Sequence, residues 1–299
     1  MRTRLALVLL GALVGSAGAQ GLPSASEVGH ELLRYVRALE GKSGAERRQV
    51  ILSYLKSWAV PYRLQPFDTV LARTSDTLRG VNVIVSMGPA KRPAWIVGAH
   101  YDAAAGSPGA NDNATGVAVL LGLIRFFHGR PLQEPIAFHF YDLEEQGLLG
   151  SAHYVRSAER GEIRAMLNLD VVGEGEEIYV GPVGGGDDDW ILPRLRRAVQ
   201  GELFPLRERA FYPHSDHASF ARAGLENLSL SIVPRGDADR LAAWAQGRRS
   251  GASPRVLRRL HRASDRSAHL RSEALGTAWR VVAKALWMWT TSAGRPDLE

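Results

Sequence analysis

Histidine and carboxylate residues recur in this sequence at the ends of apolar runs, a placement from which they could hold a metal ion. His100-Tyr101-Asp102 follows directly on the run Trp95 to Ala99. In an extended chain residues two apart point to one side, so His100 and Asp102 would emerge together. One ring nitrogen of such a histidine can bind a cation while the other donates to the carboxylate. Gly109-Ala110-Asn111-Asp112-Asn113-Ala114-Thr115-Gly116 closes a Gly/Pro loop and opens an apolar helix. Asp112 or Asn113 could cap that helix, or Asp112 could face the same cavity as His100. Asp142-Leu143-Glu144-Glu145-Gln146-Gly147 follows the run Ile136 to Tyr141, and Asp170 ends the run Leu167-Asn168-Leu169. Adjacent acids are costly to gather unless a cation neutralises them. Neighbouring side chains diverge, so one glutamate can bind metal while the other addresses a substrate. Imidazole and carboxylate without sulfur suit zinc, less often manganese or cobalt, in a catalytic site.

The apolar runs that carry these residues have strand character: Val81 to Val85, Trp95 to Ala99, Ile136 to Tyr141, Ala165 to Leu169, Ile178 to Val180 and Leu228 to Ile232. Helical spacing appears at Ser26 to Leu39, Ala45 to Ala59, Ala114 to Phe127, Leu148 to Val155, Trp190 to Val199 and about Ser272 to Trp289. Strands alternating with helices predict a three-layer α/β/α sandwich around a mixed, mostly parallel sheet. Ligands at the carboxyl ends of its strands then share one edge, where open α/β sheets place their sites. Gly184 to Asp189 and Gly236 to Pro254 read as polar surface insertions. No segment has the composition of an interdomain linker, so residues 20–299 are expected to form one domain.

His-Tyr-Asp at 100–102, the Gly109 to Gly116 segment, Glu144-Glu145-Gln146-Gly147-Leu148-Leu149-Gly150-Ser151 and Asn168-Leu169-Asp170 together resemble the secreted dizinc aminopeptidases. Glutamate carboxypeptidases and glutaminyl cyclases belong to the same superfamily. The resemblance covers nearly the whole chain from about His30. It implies two zinc ions bridged by Asp112, with His100 and Asp170 completing one ion's ligands and Glu145 serving the other. Glu144 matches the general acid/base and Asp102 the partner of His100, and the Asp112–Asn113 peptide is expected to be cis. The fifth ligand comes from a late His-Thr-x-x-Asp motif, which here reads His261-Arg262-Ala263-Ser264-Asp265. His261 is chosen over His269 because only His261 keeps the spaced aspartate. Tyr212 stands three residues before Ser215-Asp216-His217, where some members carry a tyrosine that holds the oxyanion; it could equally be a packed loop aromatic. Asp216 and His217 are expected to shape that loop, and His128, His139 and His153 to pack or lie at the surface. The implied activity is removal of N-terminal residues from peptides by a metal-bridging water that Glu144 activates. The alternatives are a glutaminyl-peptide cyclotransferase of the same fold and a catalytically silent binding module.

The chain has 299 residues, a formal charge of +6 and no cysteine. Without thiols it has no thiolate nucleophile, thiolate ligand or disulfide. Its arginines, Arg47-Arg48 among them, are scattered and read as a solvated surface. No aromatic-interleaved basic stripe is present, so no nucleic-acid partner is expected. Arg2 and Arg4, the apolar run Leu5 to Val14 and the small residues 16–19 read as a signal peptide cleaved after Ala19. The run is shorter than the roughly 20 residues that span a bilayer. The expected product is a secreted or periplasmic protein with peptide substrates and no lasting membrane insertion.

Overall fold

A computed structural model of the chain describes residues 22–70, 75–90, 93–184, 190–248 and 251–291. The expected signal peptide and residues 185–189 of the acidic loop lie outside the described residues. The strands are β1 (Arg63–Val70), β2 (Thr77–Met87), β3 (Ala94–His100), β4 (Ile136–Tyr141), β5 (Ile163–Leu169), β6 (Glu177–Gly181), β7 (Leu206–Glu208) and β8 (Asn227–Val233). They form one sheet in the order β1-β2-β4-β3-β5-β8-β6-β7. Strands β3, β4, β5 and β8 pair in parallel at its centre, as β6 does with β7, while β1–β2, β2–β4 and β6–β8 are antiparallel.

The two faces of the sheet are covered by different helices, as the expected sandwich requires. Val83, Val97, Phe138, Leu167 and Leu230 face one apolar core with α1 (Ala25–Leu39), α3 (Thr115–Phe127), α5 (Ile191–Ala198) and α8 (Ser272–Thr290). Ile84, Ile96, Ala137 and Met166, one residue along on their strands, face Tyr154 of α4 (Leu149–Ser157) and Phe220 of α6 (His217–Arg222). That switch of face with every residue is the period-2 geometry of a strand covered on both sides. Helices α1 and α2 (Gly44–Ser57) each begin at a capping box, Ser24 with Glu27 and Ser43 with Glu46.

Two expectations need correction. Residues 236–254 are not simply a polar insertion, because they contain α7 (Asp237–Ala245), with Ala238, Leu241 and Ala242 buried. Their i, i+3, i+4 spacing lays one apolar stripe on Tyr179 and Val233. Arg47 is not a surface arginine. It is fully buried, and its role emerges at the site described below. Among the described residues, no helix is long and apolar enough to cross a membrane.

His139 is a packing residue, as expected. It is buried on β4 with its ring edge-on to Tyr154 at 4.3 Å. Burial pushes its imidazole down to about 3. The unfolded chain therefore takes up a proton near 6.5 that the folded chain refuses until about 3, and stability is lost as pH falls through that interval, at about 1.4 kcal/mol per pH unit. Wild type is thus expected to lose thermal stability relative to His139→Gln between pH 7 and pH 5. Parallel melting curves across that range would refute the assignment.

Candidate metal centre

Three parallel strands deliver the acidic and imidazole groups to one edge of the sheet. His100 ends β3, the Asp142 to Glu145 segment leaves β4, and Asp170 follows β5. Asp112 precedes α3 in a short irregular turn, and its peptide to Asn113 is cis, as the resemblance implied. Asn113 takes the capping work: its Oδ1 accepts from Gly116 N at 3.0 Å and its Nδ2 donates to Leu169 O at 2.8 Å. Asp112 is left to face the cavity. Gly116 is required here, since a Cβ would lie 2.6 Å from Leu169 O and 2.5 Å from Asn113 Oδ1.

The Asp112 carboxylate stands between two groups of ligand atoms. On one side His100 Nε2 is 3.2 Å from Asp112 Oδ1 and 3.6 Å from Asp170 Oδ1. On the other His261 Nε2 is 3.1 Å from Asp112 Oδ2 and 3.2 Å from Glu145 Oε2. In each group the candidate ligand atoms all lie within 4.8 Å of one another. Two atoms bound to one tetrahedral ion at about 2.0–2.1 Å lie roughly 3.3 Å apart, so these spacings fit a metal. Asp170 Oδ1 is moreover buried, with no hydrogen-bond partner among the described residues. All five predicted ligands are therefore brought together. His269 belongs to neither group.

A layer of backbone clamps holds this arrangement. Asp102 Oδ1 lies 3.3 Å from His100 Nδ1 and accepts from Glu144 N, and Asp102 Oδ2 accepts from Glu145 N, both at 3.1 Å. One carboxylate thus orients a ring and fixes the turn that carries both glutamates. Asp265 does the same for the other loop, accepting from Asn111 N at 2.8 Å and Asp112 N at 3.1 Å. Sequence reasoning used Asp265 only as a spacer for His261. Asp142 accepts from Val81 N and the Tyr101 hydroxyl, anchoring the start of the glutamate turn. Arg47 was missed altogether. Its guanidinium donates to the carbonyls of Lys42, Tyr101, Asp102, Pro108 and Gly109, joining the His100 and Asp112 loops.

The electrostatics follow from crowding these groups together. Burial raises the Glu145 carboxyl to about 7, helped by the nearby Asp112 charge. Burial likewise drives Glu144 well above its usual range, although His100 opposes it. For Asp112 burial acts upward too, but His100 and His261 outweigh it and hold the carboxyl well below its usual range. The Asp112 contact lifts His261 to about 9. Burial would lower His100, yet the Glu144 charge and the contacts to Asp102, Asp112 and Asp170 take it well above the ordinary imidazole value. Cations bound here would displace these protons.

Tyr212 lies beside the cavity, stacked on Tyr179 at 4.7 Å. Its hydroxyl is hydrogen-bonded to Ser231, whose Oγ donates to Asp170 O at 2.5 Å. Because Ser231 spends its one proton there, Tyr212 is the donor to Ser231. Asp216 and His217 fall in neither ligand group. His217 Nδ1 contacts Ser229 Oγ at 2.8 Å, and burial raises Asp216 to about 7.

The model for peptidase family M28 matches residues 82–286. The chain belongs to this family. Among M28 relatives, aminopeptidase YwaD of Bacillus subtilis is 32% identical over 167 residues, which is 53% of this chain and 36% of that protein. Leupeptin-inactivating enzyme 1 of Streptomyces exfoliatus is 30% identical over 242 residues, 77% of this chain and 53% of that protein. The chain thus spans about a third to a half of the length of these two curated relatives. In fold it resembles a zinc aminopeptidase from Bacillus subtilis, with a TM-score of 0.68, 18% identity, and coverage of 92% of this chain and 97% of that one. A glutaminyl cyclase from an Acidobacteriales bacterium is similar to the same degree, with a TM-score of 0.66, 19% identity, and coverage of 93% and 99%. These M28-like folds establish the layered α/β architecture.

Proposed function

We propose that this chain is a zinc-dependent aminopeptidase that removes N-terminal residues from peptides outside the cytoplasm. One observation carries the reading: Asp112 offers one carboxylate oxygen to the His100–Asp170 group and the other to the His261–Glu145 group. A pair of divalent cations, when bound there, supplies Lewis acidity that activates a shared water and polarises the scissile carbonyl. Glu144 takes the proton of the attacking water and hands it to the leaving amine. Its backbone N–H is held by Asp102, and among the described residues none hydrogen-bonds to its side chain. The raised affinity of Glu144 for protons suits a group that must accept and then release one. Asp102 keeps His100 in one tautomer. Tyr212 contributes to the oxyanion only by turning its hydroxyl away from Ser231; otherwise it forms a wall of the site. Export rests on the N-terminal apolar run and its small-residue end.

The cavity above these groups has a volume of about 530 Å³ and is lined by Leu241, Trp244, Val256 and Leu257 as well as by the acids. An apolar wall of this kind favours an apolar N-terminal side chain. The glutaminyl-cyclase reading shares the fold but needs no second ion, and the two groups of candidate ligand atoms that meet at Asp112 favour the peptidase reading.

The test joins metal analysis to hydrolysis of aminoacyl-anilides. The expected outcome is close to two equivalents of zinc, cleavage of leucyl- over glutamyl-anilide, and loss of cleavage on chelation with recovery on adding zinc. Ring closure of a glutamine-initiated peptide without release of a residue would replace this reading by the cyclase one.

A further inference from the structure

The reaction cavity has a second wall of different chemistry. Gly147, Leu148, Pro213, His214 and Arg222 line it from the side of α4 and α6. Those two helices pack on each other, and α6 also packs on β5 and β8. The apolar wall instead belongs to α7 and the turn after it, clustered with Tyr179 and Val233. Glu144 decides which part of a substrate meets which wall. It must protonate the leaving nitrogen, and the chain runs from Glu144 straight to Gly147 and Leu148 on the α4 side. Gly147, Leu148 and Arg222 thus belong to the wall that follows Glu144 along the chain.

Arg222 is the one guanidinium or ammonium group among the described residues lining this cavity. It is exposed at the end of α6, and no carboxylate of the described residues pairs with it. The other charged lining groups are the acids Asp112, Glu144, Glu145 and Asp170, together with the imidazoles. Some exposed arginines of this chain pair with a carboxylate, as Arg196 does with Glu208 and Arg125 with Glu31. Arg222 presents a fork of N–H donors on the wall that also carries Gly147 and Leu148. Such a fork matches a carboxylate bidentately.

We infer that Arg222 forms a carboxylate-binding subsite on the leaving-group side, so that the chain prefers substrates with a carboxylate one residue beyond the scissile bond. Two sources share that chemistry: the terminal carboxylate of a dipeptide and the side chain of an acidic second residue. The inference rests on the aminopeptidase reading above. An exposed charge pair is worth little, so the expected preference is about fivefold.

The experiment compares zinc-loaded wild type, Arg222→Gln and Arg222→Lys on Leu-Gly, Leu-glycinamide and Leu-Asp-amide. Each preference is a ratio of kcat/KM values within one variant, so differences in active fraction cancel. In wild type Leu-Gly is expected to exceed Leu-glycinamide about fivefold, mostly through KM, with the ratio near one in Arg222→Gln and partly restored in Arg222→Lys. A gain for Leu-Asp-amide over Leu-glycinamide extends the subsite to acidic side chains, and a gain for Leu-Gly alone limits it to dipeptides. Equal rates on all three in wild type, or a ratio that survives in Arg222→Gln, overturn the subsite while leaving the peptidase reading standing. If wild type cleaves neither these peptides nor leucyl-anilide, the peptidase reading itself fails.

Discussion

Glu144→Gln is expected to lower kcat by about 10²–10⁴ while leaving zinc content unchanged. The amide has nearly the same shape as the acid, so the backbone contact from Glu144 N to Asp102 survives. Neither group of ligand atoms includes Glu144, so the substitution removes no candidate ligand. What disappears is a site that can accept a proton from water and return it to an amine. The two glutamates should therefore part company under the same treatment. Glu145→Gln acts on a group 3.2 Å from His261 Nε2 and is expected to lower zinc content as well as rate. Zinc analysis beside steady-state kinetics separates the two. Near-normal turnover in Glu144→Gln would remove it from the mechanism, and loss of zinc in that variant would make it a ligand instead.

The parts of this site that could be read from sequence are those attached to short-range signals. His100, Glu144, Glu145 and Asp170 each follow an apolar run by a few residues, and a buried strand fixes where its end must be. His261 was legible only through its spacing to Asp265, although its motif lacks the threonine. That spacing exists because Asp265 must reach back to the Asn111 and Asp112 N–H groups while His261 reaches the Asp112 carboxylate. The structure thus gives the aspartate a reason that the motif only marked. Strand β1 left little trace, since only Gln65 and Phe67 of it are buried and it carries Pro66. An edge strand tolerates both features. Helix α7 had the right apolar spacing, but the Gly, Arg and Ser residues after it hid the pattern. Strand β7 has three residues, too few for any period to show.

Arg47 is the clearest case of a long-range signal, and its replacement is expected to have the largest effect on stability. An arginine on an amphipathic helix looks like solvent-facing charge, and nothing nearby in sequence says otherwise. Four of its five acceptors lie 54 to 62 residues further on, so only the folded chain reveals them. No carboxylate of the described residues touches the guanidinium, yet Asp102, Asp112, Asp265 and Glu145 all act on it electrostatically and offset the cost of its burial. Arg47→Met keeps much of the apolar stem and removes the fork. Five carbonyl oxygens then lose a donor, and the acid cluster loses its permanent counter-charge. Stranding a buried polar network in this way costs about 3–5 kcal/mol. For a chain of this size that is roughly 6–20 °C in melting temperature. Arg47→Lys should recover only part of the loss, because one ammonium cannot span acceptors on two loops. The deficit should be larger in chelated protein than in zinc-loaded protein, since bound cations replace the missing positive charge and tie the same loops together. Melting curves with and without chelator test both statements. An equal deficit in the two states would mean that Arg47 braces the fold without organising the acids, and a deficit below 1 kcal/mol would mean that water reaches the carbonyls it now serves.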